Sequence, residues 1–216
     1  MKNLKKYFMI CLLIFVLFCN YSCNKKPNKN LKETLVAILE IKEVVHNNKK
    51  FFCTEKKQYV FLKDFNSGNY LFNNDNGNNE YTVGNENTDY IFNEFCIIDI
   101  DGDGNEELLL MAKNGNILLF RYDEDVVYGF VFPFRGMKNI KTDTSFECSG
   151  GASIICIQKI NFVKDQIIMN ELCLLDGIAN KYRLNGNVAD IKDIEKYLIE
   201  QNEKKSVKWE TYEKLK

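Results

Sequence analysis

Phe95-Cys96-Ile97-Ile98-Asp99-Ile100-Asp101-Gly102-Asp103-Gly104-Asn105-Glu106-Glu107-Leu108-Leu109-Leu110-Met111 is the stretch that decides the fold of this chain. Two apolar runs of strand length flank a short acidic loop. Unbroken runs of this kind read as strands covered on both faces, and so short a connection favours an antiparallel hairpin. The loop carries carboxylates at every second position around two glycines, which lets side chains from one short segment converge on a point. Without a cation, Asp99, Asp101, Asp103 and Glu107 would repel one another at close range. Six to eight oxygen ligands at short range are what a calcium ion requires, and the loop is read as a calcium site. The competing reading is an acidic surface hairpin that holds no ion.

Position within the loop separates two kinds of calcium site. An EF-hand places a bidentate Glu at the twelfth position, and counting from Asp99 that position is Leu110, so the EF-hand reading fails. The ninth position is Glu107. The pattern D-x-D-x-D-G-x-x-E followed by a strand resembles the FG-GAP and integrin-alpha-type loops, and the chain resembles bacterial lipoproteins of unknown function that carry one such loop. The resemblance implies Asp99, Asp101, Asp103 and Glu107 as side-chain ligands, Asn105 as a carbonyl ligand, and Glu106 turned to solvent. Propellers of that family repeat the loop blade after blade, whereas this chain has one good copy, so a full propeller is not expected. Asn73-Asn74-Asp75-Asn76-Gly77-Asn78-Asn79-Glu80 has too few carboxylates for a second and reads as a hairpin turn.

Outward from the loop, the apolar pattern gives strands at Phe92 to Ile100, Glu107 to Met111, Ile117 to Tyr122 and Val126 to Phe134. Asn114-Gly115 and Asp123-Glu124-Asp125 join them, and the short joints predict a meander. Further strands are expected at Ser153 to Val163 and Gln166 to Leu175, with a short one at Tyr182 to Leu184 before an Asn185-Gly186 turn. Phe51 to Phe65 alternates as a strand, Asn66 to Thr88 reads as turns with a short hairpin, and Val207 to Thr211 alternates as an edge strand. Leu31 to His46 is an amphipathic helix with Leu35, Ile38, Leu39 and Val45 inward, and Asp190 caps a second helix running to Gln201. The fold class is α+β: a mainly antiparallel meander sheet with an N-terminal and a C-terminal helix.

The N-terminus is organised for export. Lys2, Lys5 and Lys6 precede an apolar run from Phe8 to Phe18, too short for a comfortable membrane span, which reads as a signal peptide over residues 1–22. Asn20-Tyr21-Ser22-Cys23 resembles a bacterial lipobox and makes Cys23 the lipidation site, with residues 23–30 as a polar tether and residues 31–216 as a single α+β domain. The membrane is then a partner through the lipid, on the envelope surface facing the periplasm or the exterior. Loss of the three leader lysines takes the formal charge from −1 to −4, which speaks against a nucleic-acid partner.

Beyond the leader remain Cys53, Cys96, Cys148, Cys156 and Cys173. No C-x-x-C occurs, so they read as buried free thiols, with one disulfide open and its pair not chosen by spacing. Ser149-Gly150-Gly151-Ala152-Ser153 lacks the G-x-S-x-G of a nucleophile turn, and the single His, His46, ends the first helix; the segment reads as a strand break. With no catalytic set in view, the expectation is a non-enzymatic, calcium-stabilised binding or accessory module with a protein or glycan ligand. The rivals are a structural envelope lipoprotein and, behind it, a hydrolase.

Overall fold

A computed structural model describes residues 31–63, 91–151 and 153–215. The signal peptide, Cys23 and the tether lie outside these residues, as does the hairpin expected between Asn66 and Thr88. The chain is α+β and mainly sheet, as read from sequence, and its described residues form two sheets where one was expected.

The first sheet is built on the meander β3 (Phe92–Ile98), β4 (Glu107–Ala112), β5 (Ile117–Asp123) and β6 (Val126–Phe132), all antiparallel neighbours. Its edges were not foreseen. Phe51 to Phe65 is no single strand but the hairpin β1 (Phe51–Cys53) and β2 (Gln58–Val60), and β1 docks parallel to β6. The break comes at the turn Thr54 to Lys57, where Lys57 takes a positive φ of 51°. At the opposite edge β12 (Glu210–Thr211) pairs with β3, shorter than the expected Val207 to Thr211 strand.

The central runs Leu108 to Leu110 and Ile117 to Phe120 are apolar without a break because both faces of the sheet are covered there. Leu108, Leu110, Leu118 and Phe120 point to one side, where Ile41 and Val44 of helix α1 (Leu31–His46) pack on them. Leu109, Ile117 and Leu119 point to the other, against Phe146, Ile160, Met137 and Ile140. Full burial of each such leucine is worth about 1.5–3 kcal/mol, so the residues after the loop anchor it firmly. Helix α1 buries Ala37, Ile41 and Val44, with the expected Val45 packed beside them, while the expected Leu39 is half exposed.

The second sheet runs β11 (Asn187–Val188), β10 (Lys181–Leu184), β9 (Gln166–Asp176), β8 (Ile154–Val163), β7 (Phe146–Gly151), antiparallel throughout. Asn185 and Gly186 both take positive φ, the backbone of a type I′ hairpin turn. Helix α2 (Ile191–Glu203) covers one face with Ile194 fully buried against Ile157 and Cys173, and its N-cap Asp190 accepts a hydrogen bond from the Lys192 N–H at 2.9 Å.

Candidate metal centre

The acidic loop spans the joint between β3 and β4, whose last pair is Ile98 opposite Glu107. Gly102 and Gly104 hold φ of 73° and 93°, which an L side chain rarely adopts, and these two bends fold the loop back on itself. Within it the carboxylates organise the backbone. Asp99 accepts from the Gly104 N–H at 3.0 Å, Asp101 from the Asp103 N–H at 3.0 Å, and Asp103 from the Asn105 N–H at 2.7 Å.

Three of the five expected ligand residues come together. Asp99, Asp101 and Glu107 each offer an oxygen within 4.8 Å of the other two. Opposed ligands of a calcium ion lie at about 4.6–5.2 Å from one another, so the spacing suits an ion at their centre. Glu107 is fully buried: its Oε2 accepts from the Ile100 N–H at 3.0 Å, while its Oε1 has no hydrogen-bond partner, and Asp99 Oδ1 is likewise buried and unpartnered. A buried acceptor left unsatisfied costs about 1–3 kcal/mol, a cost that a cation held by these carboxylates would relieve. The donor set is all oxygen, the chemistry of a hard ion.

Burial first, and then the charges of Asp101, Asp103 and Asp99, push the Glu107 carboxyl well above the usual range, against the pull of the Ile100 N–H. Asp101 is raised too, by burial and by Asp103. A divalent ion would reverse both effects by supplying the missing positive charge.

Asp103 is placed differently. Its carboxylate faces Asn105, with the Asn105 side-chain amide at 3.3 Å, and lies 3.8 Å from the Arg121 guanidinium. Asn105 is buried beneath the loop, and Glu106 is exposed as expected. Arg121 is the residue that sequence reasoning missed. It is only 7% exposed, approaches Asp123 at 3.5 Å, donates to the Lys164 carbonyl at 3.3 Å and lies over the Phe162 ring at 4.7 Å. The signal was its place: the register that sets Phe120 against Leu108 carries Arg121 alongside Glu107.

The groups weighed for catalysis lie elsewhere. His46 is exposed at the end of α1. The Ser149 Oγ lies 2.7 and 3.0 Å from the Gly151 and Ile154 carbonyls, one of which takes its proton, at the register shift in the β7–β8 pairing. Among the described residues no helix is long and apolar enough to cross a membrane. No family model matches the chain, and neither a curated protein nor a solved structure is significantly similar to it.

Proposed function

We propose that this chain is an extracytoplasmic, lipid-anchored binding or accessory module, without turnover of its own, whose β3–β4 hairpin is clipped by a calcium ion. The observation that carries the ion is Glu107, a wholly buried carboxylate with a bare oxygen beside Asp99 and Asp101. Calcium suits this site better than magnesium because a loop of side-chain and carbonyl oxygens tolerates irregular geometry, whereas magnesium demands a near-octahedral shell. Asp99, Asp101 and Glu107 are the first ligands; Asp103 joins by leaving Asn105 and Arg121, and the Asn105 carbonyl closes the shell.

The ion's role in this reading is mechanical. It would tie the loop to β4, whose leucines are the centre of the core, and so hold the meander's edge in one shape. A groove of about 390 Å³ lined by Phe134, Trp209, Met111, Val207, Lys138 and Asn139 supports the binding reading, since an apolar lining with a few polar groups, Phe134 exposed and Trp209 half-buried among them, suits a protein or glycan ligand. Lipid attachment at Cys23 rests on the leader sequence and is tested on its own: Cys23→Ala should move the protein from the membrane fraction to the soluble one, and equal fatty-acid labelling of both forms would end that assignment.

For the ion the experiment is thermal unfolding with and without chelator. Chelation should lower the melting temperature of the wild type and leave Asp101→Ala unmoved; equal shifts in both would remove the site.

A further inference from the structure

Two thiols outside the ion site face one another across a strand pair. Cys148 of β7 stands directly opposite Cys156 of β8. Glu147 exchanges both its backbone hydrogen bonds with Lys138 on the far side, at 2.8 Å each, so the polar backbone groups of Cys148 are the ones turned toward β8. Directly opposed residues of this type have Cα atoms about 5.5 Å apart, inside the span of about 4.4–6.8 Å that a disulfide bridges. The side chains must draw slightly closer to bond. The strand pair can supply that movement, because its register breaks immediately after Cys148 and again in the β8–β9 pairing between Ile157 and Gln158.

We propose that Cys148 and Cys156 form a dithiol site that is converted to an intramolecular cross-strand disulfide by exchange with a disulfide-bearing oxidant. The step balances without any group from the ion site, and the inference stands apart from the calcium reading. The Cys156 thiolate attacks one sulfur of the oxidant, displacing a thiolate and leaving a mixed disulfide. Cys148 then gives its proton to that displaced thiolate, and its sulfur attacks Cys156 and expels the second thiolate, which takes up from water the proton that Cys156 released on ionising. The protein loses two protons and two electrons, and the oxidant leaves as two thiols.

The local chemistry favours this pair over every other in the described chain. A hydrogen bond from the Cys148 S–H stabilises the Cys156 thiolate and lowers its pKa against the cost of burial, with the Gln158 side chain and Arg183 assisting. The same contact raises Cys148, which stays protonated until the first exchange has occurred. Cys156 is itself buried, but the half-buried Cys148 beside it is the one described cysteine that is not, so the oxidant reaches the pair from the Cys148 side. The three remaining thiols are poor competitors. Cys53, Cys96 and Cys173 are buried, and burial pushes each of them up to about 11. Cys173 is the nearest rival, on the strand beside Cys156, but it stands opposite Ile157 and packs under α2, whereas Cys156 stands opposite Leu174.

The test is a redox titration of the folded full-length chain in mixtures of oxidised and reduced glutathione, followed by thiol alkylation and tryptic mapping. Cleavage after Lys141 and Lys159 leaves both cysteines in the single peptide 142–159. The expected product is that peptide two hydrogens lighter and unalkylated, at glutathione ratios where Cys53, Cys96 and Cys173 remain alkylated once the protein is denatured. Cys148→Ser and Cys156→Ser should each abolish the light peptide. A peptide 142–159 that takes up two alkyl groups at every ratio would overturn the proposal, as would a link from it to the Cys173 peptide.

Discussion

Glu107→Gln separates the charge of the buried carboxylate from its shape. The amide keeps the side-chain volume and an oxygen to accept from the Ile100 N–H, but it removes the negative charge that faces Asp99 and Asp101. In wild type the ion adds stability by mass action. With a dissociation constant on the order of 0.1–1 mM, as extracellular modules have, a tenfold excess of calcium contributes about 1.4 kcal/mol. For a domain of this size each kcal/mol moves the melting temperature by about 2–4 °C, so the wild type should melt about 3–6 °C higher in calcium than in chelator. The variant should show no such difference. In chelator it should melt at or above the wild type, because it no longer buries a carboxylate next to two others. Circular dichroism at 222 nm in calcium and in chelator reads all four values. A calcium shift in Glu107→Gln equal to that of wild type would refute the reasoning, and so would a variant that is less stable than wild type in chelator by several degrees.

Two other perturbations test the scaffold. Asp143 ties the loop before β7 to the end of α2: its Oδ1 accepts from the Ser145 hydroxyl at 2.5 Å and its Oδ2 from Lys204 at 2.8 Å. Burial opposes its ionisation, but Lys204 and Ser145 hold its carboxyl down to about 2, against an ordinary 3.8. A lowered folded-state pKa gives stability that is present above the unfolded value and lost as pH falls, so wild-type melting should steepen its decline between about pH 4 and 2, and Asp143→Asn should flatten that segment; unchanged profiles would contradict it. Gly129→Ala should destabilise by about 1–3 kcal/mol in denaturant unfolding, because a Cβ there would sit 2.4 Å from the Phe51 ring, which also packs edge-on against Phe120; a neutral result would show that the β1–β6 docking is loose.

The meander was legible because each of its strands announces itself locally: the apolar runs end at Asp99, at Asn114-Gly115 and at Asp123, and each joint is too short to cross over. What sequence could not supply was pairing between distant elements. The parallel docking of β1 on β6 brings Phe52 beside Tyr128, a contact no local pattern encodes. The same limit hid the second sheet as a separate layer, because both sheets produce strands of similar composition. Helix α1 turns Ala37 inward and leaves Leu39 half exposed, which hydrophobicity alone does not predict because it favours Leu over Ala. In the loop, spacing placed Asp99, Asp101 and Glu107 correctly as a converging set. It could not show that Arg121, on the neighbouring strand, draws on Asp103, nor that Cys148 stands opposite Cys156, because a register shift at Ser149 to Gly151 decides that pairing.

The most direct test of the account is a crystal structure of the protein grown in calcium, with the ion located by anomalous scattering. One ion is expected within the β3–β4 loop, with oxygens of Asp99, Asp101 and Glu107 at about 2.3–2.6 Å and the Glu107 Oε1 among them. An empty loop in saturating calcium, or an ion bound there by surface carboxylates while Glu107 Oε1 stays unpartnered, would contradict it.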